Sequence, residues 1–371
     1  MTSKYNVLID GYYLNKNRGL GRYVKELLFS LGKFNDTNIN ISVMVPSSIK
    51  SEEFIFPEKI SYFTFPKLPF PLWEQLLIPY IVKKMKPDVF HSPYNTKPLL
   101  FNKGFQSHVV TIHDLMYMEE SHKSVGLYQK IGNKYRKWVV SRIVDNGQKI
   151  VTVSKKSKND IMKHLGFESS YIYTPVEYTY SCLKNKQINI RSNKENYFFH
   201  VGGTSPHKNT EKCIKAFLAS ELEGYKLIVS GMGKECDLCK KYESEKVYFT
   251  GWISDEEIAA YYKNAKAVVF PSLKEGYGLP IIEAFTFGIP VITSNLDPMM
   301  EIAGNAAVFV NPFSLESILN ALNRIAKDDD LRKQLIKNGQ KRIEQISSKN
   351  MAKSMYKIYM GAITNEKSCV Y

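Results

Sequence analysis

The chain alternates short apolar runs with helical patterns, and it does so in two successive series. The apolar runs of the first series are YNVLID, INISVMV, PDVFHSP, HVVTIHDL and KIVTVS. Those of the second series are NYFFHVGG, YKLIVSGMG, KVYFTGW, KAVVFPS, IPVITSN and AAVFVNP. Alternation of strands and helices favours parallel sheets covered by helices. We therefore predict an α/β fold with two facing, Rossmann-like, doubly wound domains and an active site in the cleft between them.

A polar segment without hydrophobic periodicity separates the two series. It covers residues 179–195 (YSCLKNKQINIRSNKEN) and predicts an interdomain linker. The length of 371 residues suits two domains. We expect an N-terminal domain over residues 1–180 and a C-terminal domain over residues 190–354.

The net charge of +15 is concentrated in the first half of the chain. Residues 1–178 contain 25 Lys and Arg against 15 Asp and Glu. Such an excess indicates an anionic partner, which is a membrane surface, a nucleic acid or a phosphorylated substrate. The chain shows no nucleic-acid recognition motif, so we expect no nucleic-acid partner.

Other sequence features bear on the compartment. The chain lacks an apolar run of about eighteen residues, so we expect no membrane-spanning helix, and its start is interpreted as a strand and not as a signal peptide. Five cysteines fit a reducing cytoplasm. Cys236 and Cys239 have C-x-x-C spacing without a second pair, and a solvated turn is favoured over a metal or redox site.

The segment FPSLKEGYGLPIIEAFTFGIPVI has the strongest local signal. Glu275 and Glu283 are separated by seven residues, and Gly276-Tyr277-Gly278 lies between them. Glycines allow a ligand to approach the backbone, and a helix that begins at Leu279 directs its amides at the same place, which suits phosphate. Glu283, about one turn inside the helix, can accept hydrogen bonds from hydroxyls. The alternative is a plain strand–loop–helix with solvated glutamates.

Three weaker signals also lie at the ends of predicted strands. In HVGGTSPHKN, Lys208 precedes a helix, where a cation beside helix amides makes a diphosphate clamp, with assistance from His207. Gly19-Leu20-Gly21 follows the first strand, but Val24 replaces the third glycine of a dinucleotide fingerprint. His113 ends HVVTIHDL and can hydrogen-bond a sugar hydroxyl. A surface lysine and a core histidine are the respective alternatives.

Together these segments resemble the retaining, nucleotide-sugar-dependent glycosyltransferases of family four, over nearly the whole chain. The resemblance rests on DGYYLNKNRGLGRYVKELL, LWEQLLIP, DVFHSPYN, VVTIHDL, VSKKSKNDI, HVGGTSPHKN, the stretch from VYFTGW to IPVI, and EIAGNAAVFVNP. The two glutamates seven residues apart, with the glycine loop between them, are the specific part. The LWEQLLIP segment and the glycine-rich first turn are most similar to bacterial mannosyl- and rhamnosyltransferases of surface polysaccharide assembly.

The resemblance implies a role for each candidate residue. Its catalytic group consists of Glu275, His113 and Lys208. Its donor-binding residues are Glu283, Lys208, Gly276, Tyr277, Gly278, Leu279, Gly21, Arg22, Gly203, Trp252 and Ile253. Within these sets Glu283 holds the ribose hydroxyls, Lys208 binds the diphosphate, and Glu275 faces the donor sugar.

The remaining roles concern the sugar, the base and the phosphates. His113 touches the sugar, Gly21 lets the other domain approach, and the backbone near Trp252 and Ile253 meets the base. Many relatives carry an arginine in the loop where this chain has Thr204 and His207. The resemblance therefore leaves two forms of the phosphate clamp open: Lys208 with backbone amides, or Lys208 with Arg22 or Arg18 from the facing domain.

The resemblance also implies the reaction and the partners. A hexose, mannose or a similar sugar, is transferred with retention from a nucleotide sugar, with GDP-mannose favoured and a UDP-sugar possible. The acceptor is a saccharide, expected to be lipid-linked, in O-antigen or capsule synthesis, at the inner face of the cytoplasmic membrane. No metal or other cofactor is implied, and Asp328-Asp329-Asp330 is interpreted as an acidic helix start. The last helix, residues 355–371, is expected to pack on the first domain.

Residues 127–143 predict a helix with a basic flank. Its apolar face consists of Leu127, Ile131, Tyr135, Trp138 and Val139, and its flank of Lys130, Lys134 and Lys137. Such a helix can lie in a membrane interface, or its apolar face can pack on the sheet. Other functions left open are a UDP-sugar transferase with a soluble acceptor, a catalytically degenerate scaffold, a nicotinamide oxidoreductase, and a related epimerase or phosphorylase.

Overall fold

A computed structural model describes most of the chain in two compact units. Unit 1 comprises Met1–Thr174 and Ser347–Tyr371, and unit 2 comprises Pro175–Ile346. The described residues are 4–17, 19–35, 38–50, 59–99, 107–118, 127–143, 148–181, 183, 196–220, 222–233 and 235–364, with the backbone alone for 127–130.

Unit 1 contains a seven-stranded sheet in which all paired strands are parallel. Its strands are β1 (Tyr5–Asp10), β2 (Ile39–Pro46), β3 (Ile60–Phe65), β4 (Val89–Ser92), β5 (His108–Thr111), β6 (Lys149–Thr152) and β7 (Ser170–Tyr171). Their order is β3-β2-β1-β4-β5-β6-β7. The order reverses between β1 and β4, and doubly wound sheets bind ligands beyond the carboxyl ends of the strands at such a point.

The helices of unit 1 include a continuous segment with an irregular middle. They are α1 (Leu20–Lys33), α2 (Phe70–Leu72), α3 (Ile78–Met85), α4 (Leu127–Val140), α5 (Lys155–Leu165) and α14 (Ser348–Ile363), with a 3₁₀ turn at Met116–Met118. A π-helical turn, Trp73–Leu77, joins α2 to α3, so that residues 70–85 form one helical segment. Among the described residues, no helix has the length and apolar character that crossing a membrane requires.

Helix α14 packs within unit 1, although it follows unit 2 in the sequence. The Tyr359 hydroxyl lies 2.8 Å from Nδ1 of His91. The Ser30 hydroxyl lies 3.7 Å from the Met351 sulfur. Because Met351 already packs here, the returning segment begins at Ser347 and not at residue 355, where we expected it.

Unit 2 contains a six-stranded sheet with the same internal order as the first six strands of unit 1. Its parallel strands are β8 (Asn196–Val201), β9 (Tyr225–Ser230), β10 (Val247–Gly251), β11 (Ala267–Phe270), β12 (Val291–Ser294) and β13 (Ala307–Val310). Their order is β10-β9-β8-β11-β12-β13, which reverses between β8 and β11. All four residues of β11 are buried, so both faces of the sheet are covered there. The predicted α/β, doubly wound fold class is confirmed for each unit.

Helices follow most strands of unit 2. They are α6 (Glu177–Ser181), α7 (Thr210–Ala219), α8 (Asp237–Tyr242), α9 (Asp255–Asn264), α10 (Leu279–Thr286), α11 (Met299–Ala303), α12 (Leu315–Lys327) and α13 (Asp329–Gln345), with a 3₁₀ turn at Pro206–Lys208. The capping box expected at the start of α9 is present, with Ser254 and Glu257 bonded reciprocally.

The start of unit 2 corrects the predicted linker. Residues 177–181 form α6, and Tyr180 is buried with its ring 5.1 Å from that of Phe287. Lys263 also donates to the Leu183 carbonyl at 2.8 Å. These contacts tie the first part of the predicted linker to unit 2, and residues 184–195 lie outside the described residues.

Candidate functional site

Two loops leave the sheet of unit 2 where β8 and β11 adjoin. The Leu273 amide donates to the His207 carbonyl at 2.7 Å, which ties the loop after β11 to the loop after β8. Asn209, in the left-handed region with φ 58°, donates from its side-chain amide to the Pro271 carbonyl at 3.1 Å and the Pro312 carbonyl at 2.8 Å. Three loops at the carboxyl end of the sheet are therefore held together by one asparagine, which the sequence reasoning missed.

Lys208 and Glu275 meet at this end of the sheet. Nζ of Lys208 lies 2.8 Å from Oε1 of Glu275, and the Ser272 hydroxyl donates to the same oxygen at 2.8 Å. The ammonium lies 5.1 Å from the centroid of the Phe270 ring. Both side chains of the ion pair retain some exposure, 23% for the lysine and 14% for the glutamate, so an anion can reach the ammonium.

Gly203 accounts for the path of the lysine side chain. A Cβ at this position would lie 3.2 Å from Cγ of Lys208, so the glycine leaves room for the lysine stem. Thr204 is exposed and His207 is half-buried in the same loop. Lys208 is thus the cation of this loop that reaches Glu275.

The glycine loop directs the start of α10 to the same end of the sheet. Gly278 has φ +111°, a conformation that L side chains rarely adopt, and it occupies the N-cap position without a capping side chain. Pro280 has no amide hydrogen and the Ile281 amide donates to the Gly278 carbonyl at 3.0 Å, so the first turn of α10 offers a ligand the Leu279 amide. Gly276 is half-buried and Tyr277 is buried.

Glu283 lies one turn inside α10 and is buried, with 4% of its surface exposed. The Tyr262 hydroxyl donates to its Oε2 at 2.5 Å. The Tyr262 ring stacks on Phe287 with the centroids 5.8 Å apart and meets Phe199 edge-on at 5.2 Å. Tyr262 was missed from the sequence, although a buried carboxylate requires such a partner.

His200 in β8 is hydrogen-bonded to β11 and to the first residue of α7. Its Nδ1 lies 2.7 Å from the Val269 carbonyl, so this nitrogen donates, and its Nε2 lies 3.1 Å from the Thr210 hydroxyl. Burial lowers the pKa of His200 to about 4. A Cβ at Gly202 would lie 3.1 Å from this ring, which explains why Gly202, the first glycine of Gly202-Gly203, is a glycine.

Trp252 and Ile253 follow β10. Trp252 is 67% exposed, and a Cβ at Gly233, in the loop after β9, would lie 3.8 Å from its indole nitrogen. Ile253 is half-buried.

The C-x-x-C segment is helical and not the solvated turn that we predicted. The Cys236 sulfur caps α8 by accepting from the Cys239 amide. Cys239 is buried, and its thiol lies 3.2 Å from the Gly233 carbonyl, to which it donates. The cap and the buried thiol explain the spacing structurally.

Of the three candidates of unit 1, Gly21 and Arg22 lie in the first turn of α1, and His113 lies in the loop after β5. At Gly21, the place of a Cβ is taken by the carbonyls of Tyr13 and Lys16, so its own unit requires glycine there. We had attributed this glycine to an approach by the other domain. Arg22 is buried and donates from Nε to the Asn17 carbonyl at 3.2 Å. Arg18, the other candidate for the phosphate clamp, lies outside the described residues.

His113 is fixed by its neighbours. Its Nε2 lies 2.8 Å from the Pro93 carbonyl, and its ring meets Tyr23 edge-on at 4.6 Å. Burial lowers the pKa of His113. Because a carbonyl only accepts, Nε2 carries the proton, and Nδ1 of the neutral ring is an acceptor.

The LWEQLLIP segment forms a buried carboxylate centre in unit 1. Glu74 accepts from the Thr96 hydroxyl, from Gln75 at 2.9 Å and from the Tyr135 hydroxyl at 2.5 Å. Burial raises the pKa of Glu74 to about 7. The Trp73 indole donates to Asp10, the last residue of β1, at 3.0 Å. The segment therefore holds the end of β1 in place. This structural role was not predicted from the sequence.

Acidic clusters of the described residues do not form a metal centre. No group of three or more His, Cys, Asp or Glu in this part of the chain is arranged to hold a metal ion. Asp328 is the N-cap of α13 and accepts from the Leu331 amide at 2.8 Å. The interpretation of residues 328–330 as an acidic helix start is confirmed.

Comparison with known proteins assigns a family model to each half of the chain. Residues 17–179 match the model described as Glycosyltransferase Family 4, and residues 183–342 match the model described as Glycosyl transferases group 1. The two matches leave residues 1–16, 180–182 and 343–371 unmatched.

Similar proteins and structures are glycosyltransferases. The O-antigen chain mannosyltransferase RfbU of Salmonella typhimurium is 29% identical over 245 residues, which cover 64% of this chain and 64% of that protein. The O-antigen chain mannosyltransferase B of Escherichia coli is 25% identical over 293 residues, 73% of this chain and 74% of that protein. WaaG, described as a glycosyltransferase involved in lipopolysaccharide biosynthesis, is 19% identical, with a TM-score of 0.67 over 96% of this chain and 100% of WaaG.

The structural similarity to WaaG establishes the fold, and the family models establish the family. Because these models together extend from residue 17 to residue 342, the chain belongs to the glycosyltransferases, with a family 4 domain followed by a group 1 domain.

Proposed function

We propose that this protein transfers a hexose from a nucleotide sugar to a saccharide acceptor with retention of the anomeric configuration. The observation that carries the proposal is the placement of Lys208 and Glu275 at 2.8 Å, beside the uncapped start of α10. Cleavage of the anomeric bond leaves a nucleoside diphosphate with growing negative charge. A fixed cation and helix amides stabilise charge that develops at such a place.

Glu283 is proposed to accept hydrogen bonds from the ribose hydroxyls of the donor. Its Oε2 is held by Tyr262 at 2.5 Å, which fixes the carboxylate before the donor binds. A preorganised acceptor avoids the cost of ordering the side chain on binding. Trp252 and Ile253 are proposed to meet the base.

The ion pair suggests an order of events on donor binding. The diphosphate competes with Glu275 for the Lys208 ammonium, because both are anions that require the same cation. Glu275, still bonded to Ser272 at 2.8 Å, is then free to face the donor sugar. In unit 1 we propose that His113 contacts the sugar through Nδ1.

Retention is proposed to follow the path that the family resemblance implies. The acceptor hydroxyl attacks the anomeric carbon on the face from which the diphosphate departs, and the departing phosphate oxygen takes the acceptor proton. The bond to the diphosphate breaks as the new glycosidic bond forms. This scheme gives the charge-stabilising role to Lys208 and requires no metal or other cofactor.

Mannose from GDP-mannose is the proposed donor sugar, with a UDP-sugar as the alternative. Both curated relatives described above are O-antigen chain mannosyltransferases, which supports mannose and an acceptor in surface polysaccharide synthesis. We propose a lipid-linked acceptor and a peripheral position at the inner face of the cytoplasmic membrane. The exposed Lys134 and Lys137 of α4 and the net charge of +15 support an anionic surface as partner.

The test is release of nucleoside diphosphate across a panel of nucleotide sugars. The wild type is compared with Lys208→Ala and with Lys337→Ala, which removes an exposed lysine of α13 in the same unit. We expect release from GDP-mannose that is lost in the first variant and kept in the second. Release from none of the nucleotide sugars, or release that Lys208→Ala leaves intact, contradicts the proposal.

A further inference from the structure

The segment after β4 is hydrogen-bonded to the end of β5 and to the loop that follows it. The Asn95 amide donates to the carbonyl of Thr111, the last residue of β5, at 2.9 Å. The side-chain oxygen Oδ1 of Asn95 accepts from the His113 amide at 2.6 Å. Because β4 and β5 are paired in parallel, the loops that follow them lie at the same edge of the sheet, and Asn95 joins one loop to the other.

The backbone and the burial of Asn95 are specific to this contact. Its φ is 69°, in the left-handed region that asparagine adopts more readily than most residues, and it is 3% exposed. A backbone amide only donates, so the side-chain atom of Asn95 that meets the His113 nitrogen is the oxygen. A side chain without an acceptor at this position would leave the His113 amide without that partner.

The same segment also holds the ring of His113. The Pro93 carbonyl accepts from Nε2 at 2.8 Å, so residues 93–95 bind His113 both at its main chain and at the far end of its side chain. Tyr23 meets the ring edge-on at 4.6 Å, and its hydroxyl lies 3.2 Å from Oγ1 of Thr111. The ring is therefore fixed in place and in tautomer, and among the described residues Nδ1 is left without a hydrogen-bond partner.

Unit 2 contains a second asparagine with the same backbone conformation and a similar role. Among the described residues, a positive φ outside glycine occurs at Lys86, Asn95 and Asn209. Lys86 ends α3, whereas the two asparagines follow strands and tie neighbouring loops together at the carboxyl end of a sheet. Each of these asparagines holds a loop that carries a residue of the proposed site, which is His113 in unit 1 and Lys208 in unit 2.

We propose that Asn95 is a positioning residue for His113. Its side-chain oxygen fixes the main chain of His113 while the Pro93 carbonyl fixes Nε2, so that Nδ1 is presented in one orientation. The inference rests on the proposed function, which assigns Nδ1 of His113 to the sugar, and it names the side chain on which that orientation depends. An asparagine that only stabilised unit 1 would affect activity through folding and not through His113.

Two substitutions separate the side-chain oxygen of Asn95 from the backbone conformation. Asn95→Gly retains the left-handed backbone and the bond to the Thr111 carbonyl, but it removes the acceptor of the His113 amide. Asn95→Asp keeps an oxygen in the same place and should retain the bond. Ser107→Ala is the matched control, because it removes another side-chain hydrogen bond of unit 1, to the Ala362 carbonyl at 2.6 Å, at the amino end of β5.

The first measurement is kcat/KM for the donor in a double-mutant cycle with His113→Gln. Asn95→Gly should lower kcat/KM about 3- to 10-fold, as expected for one hydrogen bond, and should have no further effect in the His113→Gln background. Asn95→Asp and Ser107→Ala should remain within about twofold of the wild type. An equal fall in both backgrounds, wild-type activity of Asn95→Gly, or an Asn95→Asp variant as weak as Asn95→Gly overturns the proposal.

The second measurement does not depend on turnover. Two-bond proton–nitrogen NMR spectra of protein labelled with ¹⁵N-histidine report which ring nitrogen carries the proton, and His113→Gln assigns the signal among the seven histidines. At neutral pH, His113 should have its proton on Nε2 in the wild type and in Asn95→Asp, and should be a mixture of tautomers in Asn95→Gly. An unchanged His113 signal in Asn95→Gly overturns the proposal. The expected change without turnover of any nucleotide sugar leaves Asn95 as the residue that orients His113 and removes the proposed function.

Discussion

Removal of the Tyr262 hydroxyl tests whether Glu283 acts in donor binding. In Tyr262→Phe the ring keeps its stack on Phe287 and its contact with Phe199, so the packing of α9 on α10 is retained. The substitution removes the hydroxyl that forms a 2.5 Å hydrogen bond to Oε2 of Glu283. The carboxylate then has one partner fewer in a buried position, and it is less firmly oriented.

The expected loss of donor affinity follows from the strength of the hydrogen bond between Tyr262 and Glu283. A hydrogen bond to a charged group contributes about 1.5–3 kcal/mol. Part of this is expressed in donor binding, and about 1–2 kcal/mol corresponds to a 5- to 30-fold rise in the donor dissociation constant. In the donor complex that we propose, the Glu283–ribose contact exists before and during bond cleavage, so KM should rise while kcat stays near that of the wild type.

Tyr197→Phe is the matched control. Tyr197 is also buried in unit 2, but its hydroxyl donates to the backbone carbonyl of Tyr261 at 2.9 Å and not to Glu283. Both variants should lower the free energy of unfolding by about 1 kcal/mol or more, measured by urea denaturation. Only Tyr262→Phe should raise the donor KM.

A second readout separates orientation of Glu283 from general loosening. With a donor that lacks the ribose hydroxyls, the wild type and Tyr262→Phe should have the same KM, because the contact is absent from both. A KM within twofold of the wild type for the ordinary donor would refute the role that we assign to Glu283 and Tyr262. So would an equal rise in Tyr197→Phe.

Four further predictions follow from the two units. Lys208→Ala should lower turnover at least about tenfold with unchanged circular dichroism, since it loses a charge-assisted bond; near-normal turnover would remove it from the site. Excess chelator should leave activity unchanged, and loss of activity that magnesium or manganese restores would show that the metal-free scheme is wrong. The pKa of His200 is lowered from 6.5 to about 4, so its contribution to stability is present above pH 6.5 and lost as pH falls toward 4; His200→Asn should flatten this acid slope, and an unchanged slope would contradict the assignment. The pKa of Glu74 is raised from 4.5 to about 7, so its contribution is present below pH 4.5 and lost as pH rises through 7; Glu74→Gln should remove that alkaline loss, and a wild-type slope in the variant would count against a buried acid.

Local patterns predicted much of the architecture. The alternation of apolar runs and helical segments indicated each doubly wound sheet, and the Ser254–Glu257 pair indicated the start of α9. Two strands of unit 1, Ile60–Phe65 and Ser170–Tyr171, were not predicted. The first is half-exposed along most of its length and the second has two residues, so neither gives a strong apolar signal.

Contacts between distant residues account for the rest. Helix α6 extends into the start of the predicted linker because Tyr180 is covered by aromatic side chains that come much later in the chain. The π-helical turn at Trp73–Leu77 depends on a polar network around Glu74 that draws on three other segments. Neither feature has a local sequence signature.

In the candidate site too, local features were predicted from the sequence and contacts between distant residues were not. The glycine loop before α10 and the lysine before α7 were found from spacing and residue type. Lys208 and Glu275 are 67 positions apart in the sequence. They come into contact because the strand order of unit 2 places β8 beside β11. Tyr262 and Asn209 were missed because each acts on a residue far along the chain.

Titration of GDP into the protein tests the central claim most directly, because it asks whether the end of β8 and β11 is a nucleotide site. The wild type is compared with Lys208→Ala and Glu283→Gln by isothermal calorimetry, and GDP with 2′,3′-dideoxy-GDP. We predict about tenfold weaker GDP binding for each variant, from bonds of about 1.5 kcal/mol or more. The Glu283→Gln loss should disappear with the dideoxy nucleotide and the Lys208→Ala loss should remain. GDP binding that neither substitution weakens would contradict the account.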